Sequence, residues 1–239
     1  MTDGMLPIAV VIPCFRVRRH IAGVLAGLVG RVARVIVVDD ACPEASGQFV
    51  ADMVCNPAVR VLRHAENQGV GGAVLTGYAA ALQEGWPVVV KMDGDGQMNP
   101  AYLETLVAPV LQGRADYTKG NRFFGWQSWR GMPAGRFIGN LTVSMVMKAL
   151  SGYPGLMDPT NGYTAISAAM LRQLPLSRLE RRWFFECDML FRLSQLRARV
   201  HDVPIPALYG EEVSGMDTAV VLRNFPGRLM LRAMERMLG

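Results

Sequence analysis

Short apolar runs alternate with helical segments through the first half of the chain. Runs of Val, Ile and other apolar residues predict buried strands at residues 6–12, 35–38, 59–62 and 88–92. Helices are predicted between and after them, at residues 21–29, 44–54, 73–81 and 103–111. A strand followed by a helix, repeated in this way, is typical of an α/β fold with a mostly parallel central sheet and helices on both faces.

The second half has a different pattern. Residues 120–135 are rich in Gly, Arg and aromatic residues without a clear period, which predicts a long functional loop. Further elements are predicted as helices at 136–150 and 183–196 and as strands at 163–166 and 200–205. We therefore predict one domain over residues 1–223, with a nucleotide-binding half (1–120) and an acceptor-side half (121–223), followed by a basic amphipathic helix over 224–239.

Composition restricts the class of protein. The 239 residues are 51% hydrophobic, enough for a substantial core, and 25 basic against 20 acidic residues give a net charge of +5. This charge favours anionic partners. The four cysteines have no CxxC spacing, and no secretory signal or long apolar span is visible, so we expect a cytoplasmic protein.

Two acidic residues follow the second predicted strand. In a parallel sheet, ligands bind at the carboxyl ends of the strands, where Asp39 and Asp40 would lie. Their carboxylates could accept hydrogen bonds from a nucleoside base or from ribose hydroxyls. A role in capping a helix or a turn is the alternative, and it accounts for one acid more easily than for two.

A second acidic group follows the fourth predicted strand. Asp93, Asp95 and Gln97 alternate with glycines, so their oxygens could reach one divalent cation from the same side. Mg²⁺ or Mn²⁺ held by so few protein ligands keeps positions open for a diphosphate. The alternatives are a plain acidic turn or part of a calcium loop, although the helix predicted to begin at Pro100 interrupts such a loop.

A glycine-rich turn precedes the third helix. Asn67, Gly69 and Gly71 belong to a segment that lacks the third glycine of a dinucleotide fingerprint and follows the third strand, not the first. The pattern favours a close approach of the backbone to a nucleotide together with tight helix packing. Simple loop glycines are the alternative.

These motifs, in this order and spacing, resemble glycosyltransferase family 2 of the GT-A fold. Within it the sequence is most similar to the branch of dolichol-phosphate mannose synthases and polyprenyl-phosphate glycosyltransferases. The resemblance covers residues 6 to about 215 and includes Gly120-Asn121-Arg122, residues 158–163 and the Phe185-Glu186 segment. Cys14-Phe15-Arg16 departs from the family's usual Tyr-Asn-Glu, which leaves the donor base open.

The resemblance implies roles for individual residues. It places Asn67, Gly69 and Gly71 beside the donor, with Pro13, Asp39 and Asp40 bordering its nucleoside. It gives Asp93, Asp95 and Gln97 the metal and the diphosphate, and Arg122 and Arg136 the acceptor phosphate. The implied reaction is an inverting, metal-dependent transfer of a sugar from a UDP- or GDP-linked donor to a polyprenyl or dolichyl phosphate.

Two further hypotheses stay open. A transferase of the same fold could use a saccharide or glycolipid hydroxyl, which would need a general base, and Glu186 and Asp188 are the candidates. Both acids could instead lie at the polar edge of an apolar helix. A nucleotide-binding, membrane-associated module without catalysis is the third hypothesis.

The sequence also suggests where partners bind. Arginines 122, 130 and 136 near Trp126 and Trp129 favour a bilayer interface over single-stranded nucleic acid, because the strand-end acids would repel a nucleic-acid backbone. Arg228, Arg232 and Arg236 recur every fourth residue and could face an anionic membrane surface, or the helix could pack on its own domain. We expect a protein peripheral to the cytoplasmic membrane face, no nucleic-acid partner, and a possible homo-oligomer.

Overall fold

A computed structural model describes residues 4–123, 134–206 and 218–238 of the protein. The strands are β1 (Leu6–Cys14), β2 (Val32–Asp39), β3 (Val59–Arg63), β4 (Val88–Lys91), β5 (Tyr117–Asn121), β6 (Thr164–Ser167) and β7 (Val200–Pro204). The helices are α1 (Ile21–Ala26), α2 (Ser46–Met53), α3 (Val70–Gln83), α4 (Leu103–Leu111), α5 (Ala134–Leu150), α6 (Ala168–Gln173), α7 (Phe185–Gln195) and α8 (Thr218–Leu238). The predicted alternation of strands and helices in the first half is therefore confirmed.

The strands form one sheet in the order β3-β2-β1-β4-β6-β5-β7. Strand β6 runs antiparallel to both of its neighbours, and the other pairings are parallel. The apolar residues of β1 alternate between two hydrophobic layers. Ala9 and Val11 pack with α3, α7 and α8, whereas Ile8 and Val10 pack with α1 and α4.

The second half differs from the predicted pattern in three places. Strand β5 extends to Asn121 and so occupies the start of the predicted loop at 120–135. Helix α6 was not predicted, and α8 begins at Thr218, before the predicted start of the basic helix. The rest of that loop, at 124–133 and including Trp126, Trp129 and Arg130, lies outside the described residues.

Helix α8 packs on the protein's own domain. Its side chains Phe225, Leu229 and Ala233 are buried. Arg228 forms an ion pair with Glu180 at 2.5 Å, and Arg232 with Asp188 at 2.7 Å. These contacts favour the alternative in which the arginine face packs against the domain.

The outward side of α8 is apolar. Met230, Leu231 and Met234 are exposed there, and Met145 and Val146 are exposed on α5, whose Met147 is buried in the same hydrophobic layer as the inner side of α8. Within the described parts of the chain, none of the helices combines the length and the hydropathy that crossing a bilayer requires.

The contact between α3 and β1 leads to a prediction about stability. A Cβ at Gly77 would overlap the Val11 side chain, so Gly77→Ala overpacks the core. We expect the free energy of unfolding to fall by about 1–3 kcal/mol in urea denaturation. The matched control is Gly139→Ala on α5, where a Cβ meets nothing within 4 Å and the helix should gain up to about 1 kcal/mol. Equal effects at the two positions would contradict the tight packing at Gly77.

Candidate active site

The carboxyl ends of β1, β2, β4 and β5 lie at one edge of the sheet. β1, β2 and β4 run parallel, and β5 runs the same way because β6, between β4 and β5, is antiparallel to both. The predicted site residues follow these ends. Pro13 lies near the end of β1, Asp39 closes β2, Asp93 follows β4 and Arg122 follows β5. The fold therefore places residues that are far apart in sequence along one edge, where parallel sheets bind ligands.

Asp39 fixes the start of α2. Its Oδ1 accepts a hydrogen bond from the Cys42 backbone N–H and its Oδ2 one from Gly47, both at 2.8 Å. A Cβ at position 47 would overlap the Asp39 carboxylate, so Gly47 lets the helix start approach it. These contacts are the ones expected from the alternative, a capping role. Nucleoside binding by Asp39 stays a prediction.

Asp40 shapes the glycine-rich turn. Its two carboxylate oxygens accept hydrogen bonds from the backbone N–H groups of Gln68 and Gly69, each at 2.8 Å. Oδ1 also lies 2.7 Å from Nδ1 of His64, and the Asn67 side chain donates to the Asp40 carbonyl at 3.1 Å. Asp40 thereby links the end of β2 to the start of α3, and its predicted contact with the nucleoside remains untested.

The glycines of this turn permit a close backbone contact. Gly69 has a φ of +87°, and a Cβ there would lie 2.6 Å from the Arg181 carbonyl oxygen. A Cβ at Gly71 would lie 2.5 Å from the Glu180 carbonyl oxygen. The backbone that approaches here belongs to residues 180–182, just before α7, so the turn brings α7 to the strand ends.

The predicted metal ligands lie in the loop after β4. Asp93 is 31% exposed at its side chain, and Asp95 Oδ1 accepts the Gln97 backbone N–H at 3.0 Å. Asp93 Oδ1 is buried and, apart from an ion pair, has no hydrogen-bond partner. Carboxylate and amide oxygens suit Mg²⁺ or Mn²⁺, so these residues fit such an ion. Among the described residues, no cluster of three or more His, Cys, Asp or Glu could hold it, so water or a diphosphate would have to supply further ligands.

A buried lysine joins Asp93 to Glu186. Lys91 is 2% exposed, and its Nζ lies 2.9 Å from Asp93 Oδ1 and 2.7 Å from Glu186 Oε1. Burial alone would lower the pKa of Lys91, but the attraction of Asp93 and Glu186 raises it above its ordinary value, so the ammonium stays charged. Sequence reasoning missed Lys91, although a lysine that ends an all-valine strand is a signal that could have found it.

Arg122 is held by a buried acid. Its Nε and Nη2 donate to the two oxygens of Asp158, both at 2.6 Å, and its backbone N–H also donates to Asp158 at 3.1 Å. Burial would raise the pKa of Asp158, but the nearby Arg122 guanidinium holds it below its ordinary value. The side chain of Arg136, the other predicted acceptor-phosphate residue, lies outside the described residues.

A second buried lysine, Lys119, lies on β5, which is separated from β4 by β6. Sequence reasoning missed it as well. Thr164 pairs with Lys91 on one side and with Lys119 on the other, so the two lysines share a row across the sheet. Lys119 Nζ donates to the Asn161 carbonyl oxygen, and burial lowers its pKa to about 8. On β7, Asp202 is the register partner of Lys119, and burial raises the pKa of the Asp202 carboxyl to about 6.

The two acids of α7 point to different surroundings. Glu186 lies in the site, paired with Lys91. Asp188 is fully buried on the α8 side, where it accepts the Glu180 backbone N–H at 2.8 Å and pairs with Arg232. Burial raises the pKa of Asp188. The structure thus brings Glu186, but not Asp188, to the predicted metal ligands.

Known proteins resemble the chain in sequence. The model of glycosyl transferase family 2 matches residues 9–174. The undecaprenyl-phosphate mannosyltransferase of Micrococcus luteus is 34% identical over 181 residues, which cover 72% of this chain and 70% of that protein. The UDP-N-acetylglucosamine–dolichyl-phosphate N-acetylglucosaminyltransferase of Methanococcus voltae is 28% identical over 176 residues, which cover 73% and 70%.

The fold has solved counterparts as well. The glucosyl-3-phosphoglycerate synthase of Mycobacterium tuberculosis, crystallised with Mn²⁺ and UDP-glucose, superimposes with a TM-score of 0.67 at 19% identity. The superposition covers 95% of this chain and 78% of that one. The α/β class, the mostly parallel sheet and the resemblance drawn from the sequence motifs are thereby confirmed. The chain belongs to glycosyltransferase family 2 and is a glycosyltransferase of the GT-A fold.

Proposed function

We propose that this glycosyltransferase transfers a sugar from a nucleotide sugar to a polyprenyl phosphate, with a divalent metal and with inversion. One observation carries the proposal: residues 158–162 connect the predicted acceptor arginine to the predicted metal ligand. Asp158 binds Arg122 at one end of this segment, and a Cβ at Gly162, at the other end, would lie 2.9 Å from Asp93 Oδ2. A cation for an acceptor phosphate and an acid for a donor metal are thus held by one short stretch of chain.

The relatives support the acceptor class. The Micrococcus and Methanococcus proteins are named for different sugars, mannose and N-acetylglucosamine, but both are named for a polyprenyl phosphate. The acceptor is therefore the property that they share. The donor sugar is left open by the same comparison.

The donor side of the reaction uses the loop after β4. Asp93, Asp95 and Gln97 would hold Mg²⁺ or Mn²⁺, and the Mycobacterium tuberculosis neighbour was crystallised with Mn²⁺ and UDP-glucose. When bound, such an ion supplies positive charge to the departing diphosphate. The side chains of this chain hold that charge at the strand ends, next to Lys91, and fix the position of the leaving group.

The acceptor side needs little proton chemistry. A phosphate monoester oxygen is already ionised near neutral pH, so it can attack the anomeric carbon without a strong general base. The new bond forms from that oxygen, the bond to the diphosphate oxygen breaks, and its electron pair leaves with the nucleoside diphosphate. A single displacement of this kind inverts the configuration at the anomeric carbon.

The alternative acceptor, a hydroxyl, would depend on Glu186, which does lie in the site. However, Glu186 is 8% exposed and its Oε1 is already bonded to Lys91 at 2.7 Å. A general base must reach the proton that it removes, and the bond to Lys91 leaves only Oε2 of this largely buried side chain for that task. This pairing favours the phosphate acceptor.

The apolar outward side of α8 supports a peripheral position at the cytoplasmic membrane face. Met230 and Met234 are 63% and 48% exposed, whereas Arg228 and Arg232 are paired with acids of the domain. Apolar side chains of an amphipathic helix bind the boundary between head groups and acyl chains. Membrane contact through these methionines would bring the site near a lipid-borne acceptor.

The metal site gives the first prediction of the proposed function. Asp95→Ala should lower transfer to a short polyprenyl phosphate by about 100-fold or more, because charge on the departing diphosphate loses its stabilisation. Transfer is measured as radiolabelled product from a panel of UDP- and GDP-sugars with Mn²⁺. The matched control is Asp52→Ala, an exposed acid of α2. Undiminished transfer by a folded Asp95→Ala protein would count against the proposal, and nucleotide binding without any transfer by the wild-type protein would support a non-catalytic module.

The acceptor class gives the second prediction. Glu186→Gln keeps a polar side chain beside Lys91 but removes the base, so kcat with a polyprenyl phosphate should fall by less than tenfold. Loss of a general base for a hydroxyl acceptor typically costs about 10²- to 10⁴-fold. A loss in that range, with unchanged thermal unfolding, would favour a hydroxyl acceptor.

The surface of α8 gives the third prediction. The double variant Met230→Glu/Met234→Glu should lose most of its co-sedimentation with phosphatidylglycerol vesicles, because two charges would have to enter the interface. Leu111→Glu is the matched control, since Leu111 is 39% exposed on α4, whose buried residues belong to the other hydrophobic layer. Equal retention of vesicle binding by both variants would refute this mode of attachment.

A further inference from the structure

Burying the charged side chain of Lys91 is energetically unfavourable. The other residues of β4 are valines, and Lys91 is opposite Val11 on β1 and Thr164 on β6, with its side chain buried. A buried charge is strongly unfavourable unless other charges and hydrogen bonds compensate it. The chain supplies that compensation from two separate elements, Asp93 after β4 and Glu186 on α7.

The surroundings leave little freedom for this group. A Cβ at Gly162 would overlap Lys91 Nζ and approach Asp93 Oδ2, so residue 162 lies directly against the pair. Glu186 is the second residue of α7. The start of this helix is held by the contacts of Gly69 and Gly71 with residues 180–182. The ammonium therefore sits between the donor-side loop and α7, with one carboxylate from each.

We propose that Lys91 is a positioning residue whose ammonium acts as a resident counter-cation for Asp93, so that a divalent metal binds tightly only together with a nucleoside diphosphate. This inference rests on the proposed function. With no diphosphate present, the ammonium 2.9 Å from Asp93 Oδ1 repels a second cation at the same carboxylate. The diphosphate adds negative charge and further oxygen ligands, and these outweigh the repulsion.

Glu186 is the second partner of Lys91 in this arrangement. If Asp93 bound a metal ion, Lys91 would still have its second partner, now at 2.7 Å, and would not be left as an unpaired buried charge. Glu186 acts through Lys91 in this scheme and needs no proton transfer of its own.

The test measures metal binding rather than activity. Free Mn²⁺ is followed by electron paramagnetic resonance during titration of the wild-type protein, alone and with UDP or GDP. The key variant is Lys91→Met/Glu186→Gln, which removes one positive and one negative charge and leaves the net charge unchanged. Glu186→Gln alone keeps the ammonium on Asp93, and Lys119→Met removes a buried lysine that is hydrogen-bonded to Asn161.

We expect Mn²⁺ alone to bind the double variant about tenfold or more tightly than the wild-type protein, because repulsion at Asp93 is gone. Glu186→Gln should bind Mn²⁺ alone no more tightly than wild type, and Lys119→Met should change the dissociation constant by less than threefold. A purely structural role for Lys91 predicts the opposite sign, with weaker Mn²⁺ binding as the loop loses its anchor.

The outcomes separate this inference from the proposed function. If the wild-type protein binds Mn²⁺ with a nucleotide but the double variant binds Mn²⁺ alone no more tightly, the role of Lys91 is overturned and the metal-dependent function stands. If the wild-type protein binds no Mn²⁺ with either nucleotide, the metal dependence is overturned, and the inference with it. Should the Met variant unfold, Lys91→Gln/Glu186→Gln keeps a hydrogen bond between the two positions and serves instead.

Discussion

Two ammonium groups buried in the centre of the sheet determine how the site is assembled. Lys91 and Lys119 flank Thr164 in one row, and each must be compensated because an isolated charge in a protein interior is strongly unfavourable. Lys91 uses Asp93 and Glu186, whereas Lys119 uses the Asn161 carbonyl and lies in the field of Asp158. The loop after β4, the segment at 158–162 and the start of α7 are thus drawn to the same point.

The segments that follow β2 are held together differently. There, carboxylates bind backbone N–H groups: Asp39 holds the start of α2, and Asp40 holds the glycine-rich turn before α3. Bonds of this kind fix loop geometry without any buried lysine. The family motif that follows β2 therefore has an architectural component, which is compatible with a nucleoside contact only through atoms that these bonds leave available.

The sequence was most informative where burial alone sets the pattern. The strands and helices of residues 6–111 were predicted because β1, β2 and β4 contain apolar runs, β3 is rich in Val and Leu, and the helices between them have one apolar face. Strand β5 was missed because its sequence, Tyr-Thr-Lys-Gly-Asn, is polar although every residue is buried. Its polar groups find partners far along the chain, such as Asn161 for Lys119, and a local pattern contains no trace of them.

The same reasoning explains which site residues the sequence could suggest. Asp93, Asp95 and Gln97 form a local motif whose alternation with glycine is itself the signal. Lys91 pairs with its near neighbour Asp93 and with Glu186, 95 residues away, and Lys119 bonds to Asn161, 42 residues away. The fold alone supplies the two distant partners. For Arg122, the resemblance to a known family suggested a role in the site that no local pattern indicates. The side chain of Arg122 is held by Asp158, 36 residues away.

The charges of the site bear on how an anionic donor and an anionic acceptor could be bound next to each other. A metal-bound diphosphate and a lipid phosphate are both anionic, so a site for the two needs cations between and around them. Lys91 lies at the end of β4 and Arg122 follows β5, and each is held by carboxylates, so neither side chain would have to become ordered when substrate binds. Under the proposed function, preorganised positive charge at these two places would stabilise the approach of one anion to another. A hydroxyl acceptor carries no such repulsion, so Arg122 would then have no comparable task, whereas Lys91 would keep its role beside Asp93.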